Sequence, residues 1–167
     1  MAAKTLSSDA ASRVHQSVGK NRMDIAIRKI STPADPLLPS LVALLPQLSS
    51  QAQAPSNNYI ADLLSQGCTT FLVAADEQTV YGTTTLVTYS TLTGVRCRIE
   101  DVVVSEEARG HGLGRQLTAK AVDLARNSGA RTIDLTSRPS REAANAMYRK
   151  MGFEIRDSNS YRLTLGP

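Results

Sequence analysis

Apolar positions along the chain change period several times, and each change marks an element. Ile25-Ala26-Ile27-Arg28-Lys29-Ile30 is short and rich in β-branched residues and predicts a strand. Residues 34–48 are leucine-rich but lie among Pro33, Pro36, Pro39 and Pro46, which predicts one or two short helices interrupted by proline. Asn57 or Asn58 can cap a second helix through Leu64, stopped near Gly67. Residues 69–75 read as a strand, Asp76-Glu77-Gln78 as a turn, and residues 79–90 as the next strand, with Gly82 inside it. Thr93-Gly94 turns the chain into a long strand over residues 95–104.

The second half alternates helix and strand. Leu113, Leu117, Ala121 and Leu124 recur at spacings of four, four and three, one face of a helix that Gly129 stops. Residues 132–136 form a strand. Ser140 follows Pro139 and suits the N-cap of a helix to Met151, ended by Gly152. Residues 153–156 and 161–165 read as a closing hairpin-like pair. The order predicts an α/β (α+β) fold: a mixed, mostly antiparallel sheet of about seven strands flanked by about four helices.

Composition narrows this little. A length of 167 residues suits one domain, over residues 23–167, with a core of Leu, Ile, Val and Ala, since aromatics are 4% and Trp is absent. Residues 1–22 are Ala- and Ser-rich with a single acid, Asp9, and are expected to be a disordered terminus; an organelle transit peptide is the alternative. No apolar run is long enough to span a bilayer, so no membrane association is expected. A net charge of +4 without a dense basic block argues against dedicated nucleic-acid binding. Cys68 and Cys97, with His15 and His111, are too few and too scattered for a metal site or a Cys-His nucleophile. Buried thiols in a reducing, cytoplasmic setting are the expectation.

The chemistry lies in Arg109-Gly110-His111-Gly112-Leu113-Gly114-Arg115, between the strand Ile99-Glu100-Asp101-Val102-Val103-Val104 and the helix from Leu113. Free N–H groups at a helix start and glycines without Cβ make an anion site, and two arginines add phosphate-binding capacity. A P-loop needs Lys-Ser/Thr after its last glycine, whereas Arg115-Gln116 follows here. A Rossmann loop needs G-x-G-x-x-G directly after the first strand; Asp134 suits its ribose acid, but the spacing here is G-x-G-x-G and several strands precede it. The remaining pattern, Arg/Gln-x-x-Gly-x-Gly/Ala, fits. With Tyr148-Arg149-Lys150-Met151-Gly152-Phe153 downstream, the chain resembles the GCN5-related N-acetyltransferase (GNAT) family over residues 25–165.

That resemblance implies acetyl-coenzyme A as acyl donor and an amine as acceptor. It implies that Arg109, Gly110, His111, Gly112, Leu113, Gly114 and Arg115 hold the pyrophosphate, and that backbone groups of Val102, Val103 and Val104 hold the acetyl carbonyl and pantetheine arm. Tyr148 is placed near the thioester sulfur, able to protonate the thiolate. Asn145 can reach the face where the family carries a pantetheine-contacting asparagine, although Arg141 and Ala144 stand at its usual positions. Glu100 is the expected base, acting through water, with Asp101 as the alternative; adjacent strand residues face opposite sides, so only one of the two carboxylates is expected to face the acceptor. Arg98, two residues from Glu100, is an alternative partner for it.

The acceptor itself is not legible. Between Lys29 and Asp62 only Asp35 is charged, which hints at a neutral to apolar wall, while Arg138 and Arg141 either bind an acidic group or are simply solvated. A homodimer is one open option for assembly. A non-catalytic coenzyme A sensor and a Rossmann-type oxidoreductase stand as alternative functions.

Overall fold

A computed structural model of the protein describes residues 24–49 and 53–165. The expectation for residues 1–22 falls outside these. Four antiparallel strands run in chain order: β1 (Ala26–Ile30), β2 (Thr69–Ala75), β3 (Val80–Thr91) and β4 (Gly94–Val104). A crossover then brings β5 (Thr132–Leu135) parallel to β4, giving the order β1-β2-β3-β4-β5. The helices are α1 (Leu38–Leu48), α2 (Asn57–Ser65), α3 (Leu113–Asn127) and α4 (Glu142–Lys150), with a single 3-10 turn at Glu106–Ala108. A doubly wound parallel sheet, which a Rossmann protein requires, is not what these strands build.

Alternation along β2 divides the core. Val73 and Ala75 face α1 and α2, packing with Leu41, Leu44 and Ile60. Leu72 and Ala74 face the other side, where Leu117, Ala121 and Ala125 of α3 cover them. β2 is therefore covered on both faces, and it carries a continuous apolar run from Phe71 to Ala75. Leu124, expected on the buried face of α3, is only half-buried, and Thr118 and Ala125 complete the stripe instead.

Gly82 lets α3 approach β3 closely. A Cβ there would sit 3.0 Å from the Val103 carbonyl oxygen and 3.2 Å from Leu117 Cδ1. Leu117 is fully buried at this contact. Leu117→Ala is expected to destabilise the fold by about 2–5 kcal/mol, read as a lower denaturant midpoint.

Three expectations need correction. Ser56, not Asn57 or Asn58, caps α2, its Oγ accepting from the Tyr59 N–H at 3.2 Å. α4 starts at Glu142 with Arg141 at its N-cap, and Ser140 makes no cap. The sheet has five strands rather than about seven among the described residues, because residues 153–156 and 161–165 pair with nothing. Ile155, Tyr161, Leu163 and Leu165 are more than 80% exposed there. Alternation supplies strand propensity, but a strand forms only against a partner's hydrogen-bonding edge. Of the one or two helices expected over residues 34–48 the structure has one, α1, with Pro39 in its first turn and Pro46 two residues from its end.

Candidate active site

The site begins at an irregularity in β4. Thr85 pairs with Glu100 and Thr83 with Val103, so Thr84 alone stands opposite two residues, Asp101 and Val102. This is a β-bulge, and it reverses the side-chain phase of the strand. Before it, Cys97 and Ile99 face α3; after it, Val102 and Val104 do, and Val103 turns to the α1 side. Asp101 takes a φ of +52°, the left-handed region, where it is the one non-glycine residue among those described. Such a conformation costs on the order of 1–2 kcal/mol and is held only where surrounding structure imposes it.

β5 ends where the bulge begins. Its last partner on β4 is Ile99, opposite Leu135, so Glu100 to Val104 present an edge without a strand beside it. A cavity of about 460 Å³ opens there. Glu100, Asp101 and Val102 form its β4 side, Leu48 and Ser49 approach from the end of α1, and Thr136, Arg138, Arg141 and Tyr148 approach from the β5–α4 side. The alternation rule would have separated Glu100 from Asp101; the bulge brings both carboxylates to one cavity.

Their surroundings differ. The Glu100 carboxylate is bound by Arg98 Nε, so the same-face pairing of these residues is realised. Asp101 has no cationic partner among the described residues. Burial of its carboxyl, and then the neighbouring charge of Glu100, push its pKa above the ordinary carboxylate range; a 3.4 Å hydrogen bond donated by Thr85 Oγ1 opposes this. Asp101 is exposed as a whole residue, and the burial that desolvates its carboxyl is partial. Tyr148 is 7% exposed and packs edge-on against Phe153 at 5.8 Å between ring centroids. Burial raises its pKa, while Arg141 nearby pulls the other way. Its phenol therefore keeps its proton at neutral pH.

The glycine loop follows β4 after Ser105 and the 3-10 turn Glu106–Ala108. Gly112, the N-cap of α3, has a φ of +76° and no side chain to cover the helix start. The first-turn N–H groups at Leu113, Gly114 and Arg115 have no acceptor among the described residues. Gly114 lies beside the open slot: a Cβ there would meet Val104 Cγ2 at 3.7 Å and Met147 Sδ at 3.8 Å. Arg109 and Arg115 are both exposed. Arg109 leans 3.4 Å from Glu106. His111 turns back on its own loop, Nδ1–H donating to the carbonyls of Arg109 at 3.1 Å and Ala108 at 3.3 Å.

Val102, Val103 and Val104 lie along the open edge, with the Val102 carbonyl 3.5 Å from Arg141 Nη2. Asn145 directs its amide to the carbonyls of Arg138 at 2.8 Å and Pro139 at 3.5 Å, so it braces the loop before α4. The sequence offered no sign of Arg162, which reaches the cavity from the C-terminal segment, nor of Thr85, which touches Asp101 across the strand pair.

Known proteins share this fold. Residues 38–153 match the model of a family described as acetyltransferase (GNAT) family. An uncharacterised N-acetyltransferase of Bacillus subtilis, YobR, is 32% identical over 96 residues, covering 58% of this chain; the matched stretch is 37% of that relative's own length. A putative acetyltransferase of Agrobacterium tumefaciens superposes with a TM-score of 0.74 at 26% identity, covering 84% of this chain and 99% of that one. An acetyltransferase of Trypanosoma brucei gives 0.73 at 27% identity, covering 85% and 100%.

Proposed function

The chain belongs to the acetyltransferase (GNAT) family, and from that premise we propose that it transfers an acetyl group from acetyl-coenzyme A to a primary amine. One observation carries this reading. The bulge in β4 brings Glu100 and Asp101 into the lining of the same cavity as Tyr148, where the β4 edge is left open beyond β5. The residues present fit the cosubstrate: uncommitted N–H groups and exposed arginines at the start of α3 suit its pyrophosphate, and the unpaired β4 edge suits its amide-rich arm. Acetyl-coenzyme A supplies an activated thioester carbonyl.

The chain's own groups then have distinct tasks. Asp101 accepts the proton of the amine, directly or through water, because burial makes its carboxyl more basic than usual. Glu100, expected for this task from the family resemblance, is engaged by Arg98 and tunes Asp101 through its charge; it is the alternative acceptor. Tyr148 donates its proton to the leaving sulfur. Backbone groups of Val102, Val103 and Val104 orient the acyl chain, and the loop from Arg109 to Arg115 anchors the phosphates.

Thiol release across a panel of primary amines tests the reading. Release that depends on the amine supports it. Stabilisation by acetyl-coenzyme A without release from any amine supports a sensor instead. Binding has its own test. Gly112→Val puts a branched side chain at a left-handed φ and over the helix start, and should eliminate calorimetric binding of acetyl-coenzyme A. Arg109→Ala and Arg115→Ala avoid that backbone strain and should each weaken binding by about 1–3 kcal/mol. Wild-type affinity in all three variants would remove the phosphate role from the loop.

A further inference from the structure

The cavity beside the β4 bulge carries more positive charge than acetyl transfer to a simple amine requires. Arg138, Arg141 and Arg162 line it, from the β5–α4 loop, the N-cap of α4 and the C-terminal segment. None of them belongs to a salt bridge among the described residues. Among the described residues their one side-chain hydrogen bond is the long one from Arg141 to the Val102 carbonyl. Of the two carboxylates in the lining, Glu100 is already held by Arg98. Asp101 is the other acid in the lining, and it forms no ion pair with any of the three arginines.

The placement of Arg141 points the same way. A helix N-terminus carries partial positive charge and favours anions, so a cation at the N-cap of α4 works against helix stability. Arg138 lies three positions earlier and adds to the same field. An occupant with negative charge would satisfy both arginines and the helix end together. The rest of the site has no use for this charge. The acetyl group and pantetheine arm are neutral, and the phosphates have Arg109, Arg115 and the start of α3. The wall from α1 contributes Leu48 and Ser49, which bring no opposing charge.

We propose that the acceptor is an amine bearing its own anionic group, a carboxylate or a phosphate, which Arg138, Arg141 and Arg162 bind while the amino nitrogen faces Asp101. This rests on the acetyltransferase reading and narrows its substrate class. The planar, bidentate donors of arginine suit both oxyanions, so the shared chemistry is a compact oxyanion near a primary amine.

Matched pairs of amines test it on the full chain. O-phosphoethanolamine is compared with ethanolamine, β-alanine with β-alaninamide, glucosamine 6-phosphate with glucosamine, and a tripeptide ending in aspartate with one ending in asparagine amide. Thiol release gives kcat/KM, and melts in the presence of coenzyme A report binding without turnover. The expected result is a preference of ~10-fold or more for the anionic member of at least one pair, the worth of a charged hydrogen bond. The phosphate and carboxylate arms show which oxyanion is read. Arg138→Ala and Arg162→Ala, which remove no hydrogen bond from the fold, should each reduce that ratio, and Arg138→Lys should retain part of it. Equal response of both members in every pair overturns the inference, whether or not acetyl transfer occurs. So does a tenfold loss of acetyl-coenzyme A affinity in the two alanine variants, which would assign the arginines to the cosubstrate. Stabilisation by the anionic members alone, with no thiol released from any amine, upholds the anion site and overturns the transfer reading.

Discussion

Asp101→Asn is expected to lower kcat/KM by about 10²–10⁴-fold, the usual contribution of a positioned base, while making the protein more stable at neutral pH. The two effects share a cause. The folded carboxyl has a pKa raised by burial and by Glu100. A group of this kind favours the fold fully below the ordinary carboxylate range, near ~3.9 for aspartate, and that contribution is lost as pH rises through the raised folded value. Asparagine cannot ionise, so the variant should melt above the wild type at pH 7 and level with it in strong acid. Asparagine also tolerates the left-handed backbone that Asp101 adopts, so the fold is not disturbed by the exchange. Raising the pH should restore part of the lost rate by supplying free amine from solvent. Glu100→Gln should behave differently. It removes a charge that raises the Asp101 pKa, so the acid limb of the pH–rate profile should move to lower pH with kcat reduced less. If Glu100→Gln shows the large pH-rescued loss and Asp101→Asn only alters stability, the two residues exchange roles. A profile unchanged in both means that the amine arrives deprotonated and positioning carries the reaction.

Tyr148→Phe should lower kcat by about 10²-fold or more with little change in acetyl-coenzyme A affinity. Phenylalanine keeps the ring and its edge contact with Phe153, so the buried packing of α4 survives. What disappears is a hydroxyl that burial keeps protonated at neutral pH. Single-turnover measurements make chemistry the observed step. An unchanged rate there would make Tyr148 a packing residue, which its 7% exposure would equally explain. The effect should be smaller with an acyl donor whose leaving group is less basic than the coenzyme A thiolate, since such a group needs less help from a proton.

Local chemistry made much of this protein legible. The glycine-rich loop between an apolar strand and an amphipathic helix is written in consecutive residues, and its consequence, uncommitted N–H groups at Leu113 to Arg115, follows from backbone rules alone. The Leu113, Leu117 and Ala121 stripe, the β2 alternation and the same-face pairing of Arg98 with Glu100 are also short-range relations, set by fixed helical and strand periods. The bulge at Asp101 is of another kind. It exists only as a mismatch between β4 and the register of β3, with Thr84 opposed to two residues, and nothing within Ile99 to Val104 states where the extra residue will fall. Strict alternation therefore separated Asp101 from Glu100, while the folded sheet puts both in the lining of one cavity. The C-terminal segment gives the same lesson. Residues 161–165 alternate as a strand should, yet no edge pairs with them, and Arg162 instead reaches a cavity built from distant elements. Periodicity along the chain settles which way a residue faces within its own element; contact between elements, which depends on register and on where a neighbouring strand stops, decides which charges share one site.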